Sequence, residues 1–357
     1  MQQITYPDKL NLVSVLGETI SKMSTVQNLN NYYVSGTSGS DSTGNGMISN
    51  PWKTITNAID VLNAISGDIT ATINIAAGVY TGILPIITKS GISLIGASSL
   101  PNVTVLTSGI TFNMAANSSP TPFSIGGFQN IQLNGTLVHF QSNGSKNSLN
   151  VSNCLFVPPQ NRSAIVTDLA GSGSGALAEM TVRDCVIYMC DNTAAVSINN
   201  TTVSMYNTQL TNNPNLSACD ENFINVNGSG RINLYGCSIT QTYSGSNVSS
   251  LIEIYNSLSV NSGSTINNCM LVYTSATNQG ADKRCIRFTG SSGIDMNTYT
   301  IINNYFQCVG QSDTLCIIVY GTPQLNLVIG QNVAAGSVNG VTPSSSPYTK
   351  TLLSSVS

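Results

Sequence analysis

The sequence predicts an all-β fold, a right-handed parallel β-helix built as a single solenoid of about nine coils, because two patterns repeat along it. The first pattern is a short unit exemplified by Val151–Phe156 (VSNCLF). Steps between units range from 23 residues (Asp184 to Asn207) to 36 residues (Asn268 to Asn304). A period near 30 residues with variable insertions is typical of a solenoid, and nine coils at about 4.8 Å each give a length of about 40 Å.

The third position of this unit predicts a sharp bend. Gly, Asn or Asp occupies it in every copy, and these residues tolerate positive φ. The first position is aliphatic or Met, so each unit is a short strand whose inward side chain precedes the bend. Stacked Asn amides are expected to hydrogen bond along the helix. The predicted bend residues are Gly96, Gly127, Asn153, Asp184, Asn207, Gly236, Asn268, Asn304 and Gly330.

The second pattern predicts a half-buried strand in each coil. Segments such as Ile252–Ile254 and Ile286–Phe288 place apolar residues on both sides of a polar one. Alternation with a period of two directs the middle residue outward. We therefore expect His139, Glu253 and Arg287 to point outward, and Glu253 to form a surface ion pair with Arg287 one coil later.

The chain divides into three predicted parts. Residues 1–31 form a lead-in, predicted to be helical from apolar residues at helical spacing, which either packs against the body or docks on a partner. Residues 32–331 form the β-helix. Residues 332–357, rich in Ser, Thr and Pro, are predicted to form an extended C-terminal tail. The apolar positions of the lead-in are Leu10, Val13, Leu16, Ile20 and Met23.

A capping helix is predicted at about residues 51–65. Asn50 is a good N-cap and Pro51 suits the first helical position. Trp52 and Ile55 begin an apolar face that continues to Ile65. A solenoid exposes an apolar cross-section at its end, which this helix is expected to cover.

Composition argues against several classes of partner. Only 8% of residues are charged and the net charge is −3, so the sequence lacks the clustered Lys and Arg that grip nucleic acid. We also expect no membrane partner, because no apolar run of about 18 residues occurs. The first residues lack the pattern of a signal peptide. Four cysteines in one inward column are expected to be buried free thiols, with a disulfide between neighbouring coils as the alternative. They are Cys154, Cys185, Cys237 and Cys269.

Six segments near the start of the chain together form one recognisable pattern: Tyr32–Ser35, Gly39–Asp41, Asn50–Ile55, Ala58–Ile59, Ile73–Tyr80 and Gly91–Gly96. Through them the chain resembles pectate-lyase-like β-helix proteins, over about residues 32–331. That family includes polysaccharide lyases and hydrolases, phage tailspikes, and non-enzymatic surface and particle proteins. The resemblance implies the fold specifically and the function only weakly. The Asn-rich, weakly charged sequence also resembles structural proteins of large DNA viruses and phages.

The resemblance does not extend to catalytic motifs. The Asn-Thr-Asp and Gly-His-Gly motifs of family polygalacturonases do not occur in the sequence. We expect no metal and no cofactor; if the chain is an enzyme, the fold implies a polysaccharide lyase or a glycoside hydrolase. A tailspike-type glycosidase needs two carboxylates about 5 to 10 Å apart. The candidate carboxylates are Asp191, Asp220, Glu221 and Glu253.

Three residues are candidates for contact with a glycan or a protein partner. Tyr206 and Tyr235 occupy equivalent outward positions in successive coils and are expected to stack, and Arg287 lies in the second outward column. The sequence favours a non-enzymatic structural protein of a virion, capsid-associated or a surface spike. Its expected partners are other virion proteins or further copies of itself, a homotrimer included. The alternative is a glycan-binding or glycan-cleaving spike.

Overall fold

The computed structural model describes residues 31–67, 69–89, 91–113, 125–142, 148–170, 179–189, 193–214, 221–243, 250–256, 263–275, 284–309, 317–335, 342–343 and 349–353. These residues form a right-handed parallel β-helix, as the sequence predicted. Each coil contributes strands that pair in parallel with their equivalents in the coils before and after it. Parallel strands need crossover connections, and a winding coil supplies one in every turn.

Three sheets line the helix, one more than the two strand columns visible in the sequence. Sheet 1 contains Asn31–Val34, Thr70–Ile75, Gly91–Gly96, Ile125–Gln129, Ser148–Ser152, Glu179–Arg183, Thr202–Tyr206, Arg231–Tyr235, Thr265–Asn267 and Thr349–Leu353. Sheet 2 contains Gly78–Tyr80, Thr104–Leu106, Gln132–Leu133, Leu155–Phe156, Val186–Met189, Gln209–Asn212, Ser238–Tyr243, Met270–Ser275, Tyr305–Val309 and Val333–Ala335. Sheet 3 contains Ile110–Asn113, Leu137–Ser142, Ile165–Ala170, Val196–Asn199, Ile224–Asn227, Ser250–Asn256 and Thr342–Pro343. Arg284–Ile302 and Ile317–Gly330 run from sheet 3 into sheet 1 and join them.

The inward side chains form one continuous apolar core along the helix axis. Equivalent residues of successive coils stack on one another, as Val182 does on Val151 in sheet 1. Burying each aliphatic side chain stabilises the fold by about 1.5 to 3 kcal/mol. Aromatic pairs fill the wider places, with the rings of Phe288 and Tyr299 edge to face at 5.0 Å.

A column of left-handed residues turns the chain from sheet 1 into sheet 2. The prediction is confirmed at Asn153, Asp184, Asn207, Gly236 and Asn268. In the other coils the bend lies elsewhere than predicted: at Asn130 rather than Gly127, at Asn303 rather than Asn304, and at Gln331 rather than Gly330. Gly127 lies within a sheet 1 strand and Gly96 ends one.

The bend side chains hydrogen bond along the stack, as expected. Asn153 Nδ2 donates to Asn130 Oδ1 at 2.8 Å, and Asn207 Nδ2 donates to Asp184 Oδ1 at 3.3 Å. Gly236 interrupts this column because it has no side chain, and a Cβ there would lie 2.9 Å from Asn207 Oδ1. The ladder therefore holds the bends in register.

An inner column of small polar residues follows the bends. Cys154, Cys185, Cys237 and Cys269 are buried free thiols, as predicted, and burial raises the pKa of the Cys154 thiol. Asn304 occupies the same column. Its Oδ1 accepts from the backbone NH of Cys269 at 2.8 Å, and its Nδ2 donates to the carbonyl of Ile266 at 2.9 Å. The Asn304 side chain thus hydrogen bonds to the backbone from inside the coil, and Asn304 is not itself the bend residue.

Helix α1 covers the N-terminal end of the core but is shorter than predicted. It spans Ile55–Asn63, and Thr54 is its N-cap, accepting from the backbone NH of Asn57 at 3.1 Å. Asn50 and Pro51 precede the helix because the Asp41 carboxylate binds the chain just before it. Asp41 Oδ1 accepts from the backbone NH groups of Lys53 and Thr54, at 2.9 and 3.0 Å.

The strand stacks extend past Gln331, where the sequence predicted the coils to end. Val333–Ala335 continues sheet 2, and Thr349–Leu353 pairs in parallel with the end of Ile317–Gly330 in sheet 1. The predicted lead-in lies outside the described residues. Within the described ranges, no helix is long and apolar enough to cross a membrane.

Candidate functional site

The outer face of sheet 1 carries a long, nearly uncharged track. At one outward position of each rung, mainly hydroxyl and amide side chains stand in register along the helix. Nine successive strands contribute to it, from Thr70–Ile75 to Arg284–Ile302, because outward positions recur with a period of two. We call it the sheet 1 track, formed by Thr72, Ser93, Gly127, Asn150, Thr181, Ser204, Asn233, Thr265 and Thr300.

Beside this track, Arg183, Tyr206 and Tyr235 form a continuous stack on three successive rungs. The rings of Tyr206 and Tyr235 are stacked as expected, with centroids 5.0 Å apart and planes 14° apart. The guanidinium carbon of Arg183 lies 4.0 Å from the centroid of the Tyr206 ring. Both faces of Tyr206 are therefore covered, and this residue offers its ring edge and phenol group rather than an open ring face for a sugar.

Arg183 was missed in the sequence, although a signal for it existed. Aligning Val182-Arg183 with Met205-Tyr206 in the repeat places Arg183 one rung before Tyr206.

The predicted pairing of Glu253 with Arg287 is confirmed, but the pair is not on the open surface. Glu253 Oε1 lies 3.4 Å from Arg287 Nε, and the two residues are direct partners across sheet 3. Glu253 is only 4% exposed. An outward position in a strand is not always open to solvent, and at Glu253 the surrounding chain covers it.

Further groups hold the Glu253 carboxylate. Asn222 Nδ2 donates to Oε2 at 2.6 Å, and the Thr289 hydroxyl donates to Oε1 at 3.1 Å. The Asn222 Oδ1 accepts from the backbone NH of Ser250 at 2.6 Å. Buried charges are stable only when they are paired and hydrogen bonded. Through these contacts the carboxylate also holds the segment around Asn222 against sheet 3.

Tyr255 extends this cluster to the surface. It is 41% exposed, and its pKa is raised, first by burial of its phenol and then by the charge of Glu253. Its phenol therefore stays neutral, and able to donate a hydrogen bond, to a higher pH than that of an ordinary tyrosine.

Of the other predicted carboxylates, Glu221 lies close enough to Tyr255 for its charge also to raise the pKa of that phenol. Asp191 and Asp220 lie outside the described residues. Glu221 is half-buried, and its main-chain carbonyl accepts a hydrogen bond from Gln241 Nε2 at 3.1 Å. Across the described ranges, no three His, Cys, Asp or Glu side chains come close enough to share a metal ion.

His139 points into the core, so the expectation that it faces outward is wrong. It pairs with Thr167, one residue out of step with the alignment of segments used in the sequence. It is 1% exposed, and its Nε2 has no hydrogen-bond partner among the described residues. Burial lowers its pKa to about 4, so the imidazole is neutral and enclosed.

Comparison with known proteins adds solved structures of low similarity. No protein-family model and no curated protein matches the sequence. A pectin methylesterase from carrot is 15% identical, with 91% of this chain and 89% of that chain covered and a TM-score of 0.48. The pectin methylesterase PemA from Erwinia chrysanthemi is 14% identical, with 87% and 91% covered and a TM-score of 0.46. The ORF18 protein of Geobacillus virus E2 is 11% identical, with 94% and 62% covered and a TM-score of 0.46.

Proposed function

We propose that the chain is a non-enzymatic structural protein of a virus particle, capsid-associated or a surface spike. In this proposal the outer face of sheet 1 packs against other particle proteins or further copies of the chain. The sheet 1 track is the observation that carries the proposal. The assignment to a virion is supported by the resemblance of the Asn-rich, weakly charged sequence to viral structural proteins.

The dimensions of the outer face of sheet 1, along which the track runs, suit a protein–protein contact. Nine rungs at about 4.8 Å extend about 40 Å, and a five-residue strand is about 16 Å wide. The resulting area of about 650 Å² approaches the roughly 800 Å² per partner of a standard interface. Hydroxyl and amide groups cost less to desolvate than charges and can hydrogen bond across a contact. Their backbone is already fixed in strands, so little conformational entropy is lost on association.

The polar clusters support a structural role in preference to a catalytic one. The Glu253 carboxylate is held by Asn222, Thr289 and Arg287. A general acid or nucleophile needs a free oxygen directed at its substrate. Arg183 and Tyr206 likewise pack on one another, which fixes the surface shape of sheet 1.

A glycan-binding spike is the second candidate. It is favoured by the phenol groups of Tyr206 and Tyr235, which lie next to hydroxyl and amide side chains of the sheet 1 track. In that case Tyr206→Ala would abolish binding to a glycan array while leaving the native mass unchanged. A structural role predicts instead that substitutions in the sheet 1 track lower the native mass and do not change binding to the glycan array.

The experiment introduces charge into the track. Thr181→Glu with Thr265→Glu places two carboxylates on the outer face of sheet 1, three rungs apart. Thr211→Glu with Thr274→Glu is the control, which places the same two carboxylates on the outer face of sheet 2, two rungs apart. Light scattering should show a multimer for the unmodified chain and for the control, and a much lower mass for the sheet 1 variant.

Two results would contradict the proposal. One is an equal native mass for the two double variants, which would show that the sheet 1 track is not part of the contact. The other is release of reducing ends or of methanol from polysaccharides by the unmodified chain, lost in Glu253→Gln. That result would make the chain an enzyme.

A further inference from the structure

A cavity of about 510 Å³ opens at the N-terminal end of sheet 1. Its floor is formed by the outward side chains of the first three rungs, Tyr33, Asn74 and Ile95, which are in register. Its wall is the loop that leads to α1, through Ser38 and Ile48. This volume is within the range of small-molecule sites in proteins.

The wall of the cavity is held in place by backbone hydrogen bonds. The NH of Tyr33 donates to the carbonyl of Gly46 at 2.9 Å, and the NH of Trp52 donates to the carbonyl of Tyr33 at 3.0 Å. The Trp52 ring stacks on Tyr32 at 5.2 Å. Gly46 has φ +77°, and a Cβ there would lie 2.8 Å from the Trp52 ring. The cavity is thus preformed, which lowers the entropic cost of binding.

The chemistry of the lining selects a neutral ligand. All twelve lining residues are uncharged at neutral pH, and they combine apolar surface with a few hydroxyl and amide groups. Asn74 Nδ2 is engaged with the carbonyl of Tyr32 at 3.2 Å, which orients the amide. The Ser35 hydroxyl, in turn, accepts from the Ser38 hydroxyl at 2.8 Å. The lining residues are Tyr33, Val34, Ser35, Ser38, Ile48, Pro51, Asn74, Ile75, Ala76, Ile95, Gly96 and Ala97.

We propose that this cavity binds a neutral hexopyranose unit. A pyranose ring presents apolar C–H groups for Tyr33 and Ile48 and hydroxyls for the amide of Asn74 and the hydroxyl of Ser38. A uronate is disfavoured because the lining holds no cation to balance its carboxylate. Ile48, 73% exposed at the rim, becomes covered when the ligand is bound. The site is independent of the proposed function, since its residues lie outside the part of the track altered in the assembly test.

The test compares two variants that add the same side chain. Ala97→Phe fills the cavity from its exposed lining residue, whereas Ala77→Phe adds a phenyl group at an exposed residue outside the lining. Calorimetric titration uses methyl β-D-glucopyranoside, methyl β-D-galactopyranoside and methyl N-acetyl-β-D-glucosaminide, with methyl galactopyranosiduronate as the charged probe. The fluorescence of Trp52, the single tryptophan, gives a second signal.

The expected result is binding of at least one neutral glycoside to the full chain. Its affinity should fall by about tenfold or more, equivalent to about 1.4 kcal/mol, in Ala97→Phe and stay unchanged in Ala77→Phe. Uronate binding should be weaker than neutral binding. The proposal is overturned if no neutral glycoside binds, if the uronate binds as tightly as the neutral glycosides, or if both variants bind like the unmodified chain. Folding of each variant is checked by its far-UV circular dichroism and Trp52 emission.

Discussion

His139 allows the inward register of sheet 3 to be measured directly, because it is the only histidine in the chain. Its rung neighbours are Phe112 and Thr167, neither of which carries a charge. Burial lowers its pKa from 6.5 to about 4. The unfolded chain therefore binds more protons than the folded chain between these values, so stability falls as the pH falls from 6.5 towards 4.

The size of this effect follows from the two pKa values. With pKa values of 6.5 unfolded and about 4 folded, the imidazole should cost about 2 kcal/mol of stability between pH 7.5 and pH 5. Urea unfolding at the two pH values measures the loss. His139→Phe, which stacks a ring on Phe112, should remove this part of the pH dependence and leave only the contribution of the carboxylates.

An independent reading comes from the single imidazole signal in the NMR spectrum. In the folded chain it should not titrate until the pH approaches 4. A midpoint near 6.5 would place His139 in solvent and refute the register described above. An unchanged pH dependence in His139→Phe would refute the energetic reasoning even if the imidazole were buried.

Three further predictions concern the supports of the coil. Asn153→Gly keeps the left-handed bend and loses only amide hydrogen bonds, so it should cost about 1 kcal/mol, whereas Asn153→Leu should cost about 2 to 3 kcal/mol. If urea unfolding showed that both variants lose the same free energy of unfolding, the left-handed backbone at Asn153 would not be the cause of the loss. Glu253→Ala should destabilise the chain by about 3 to 5 kcal/mol because it leaves Arg287 without its carboxylate, while Glu253→Met with Arg287→Met should cost much less. A double variant as unstable as the single one would show that the charge pair is not the cause. Gly46→Ala should shift the emission of Trp52 to longer wavelength, since the new methyl group displaces the ring; an unchanged spectrum would contradict the close approach.

The β-helix was predictable from sequence because its bends recur with restricted chemistry. Asn153, Asp184 and Asn207 each lie two residues after an inward aliphatic residue or Met, and each has positive φ. The same rule misplaced Asn304, because an Asn directly follows the true bend at Asn303 and both fit the pattern. Only the hydrogen bonds of the folded chain separate the two roles.

Contacts between distant segments were less accessible to sequence reasoning. The stacking of Tyr206 on Tyr235 was predictable because repeat positions fix rung neighbours. The burial of Glu253 was not, since it depends on residues such as Asn222 and Thr289 that come from other segments. The one-residue offset that turns His139 inward reflects variable insertions between coils, which leave a short alternating pattern with two plausible registers. The cavity beside Tyr33 arises from a loop wall, which no periodic pattern describes.

The most direct test of the central claim is the native mass of the unmodified full chain, measured by light scattering over a range of concentrations. The C-terminal strands must be retained, because Thr349–Leu353 continues sheet 1. A structural protein that packs through sheet 1 should give a defined multiple of the single-chain mass and lose it in Thr181→Glu with Thr265→Glu. A chain that stays monomeric at every concentration would contradict self-association. If it also binds no other particle protein, the structural proposal fails.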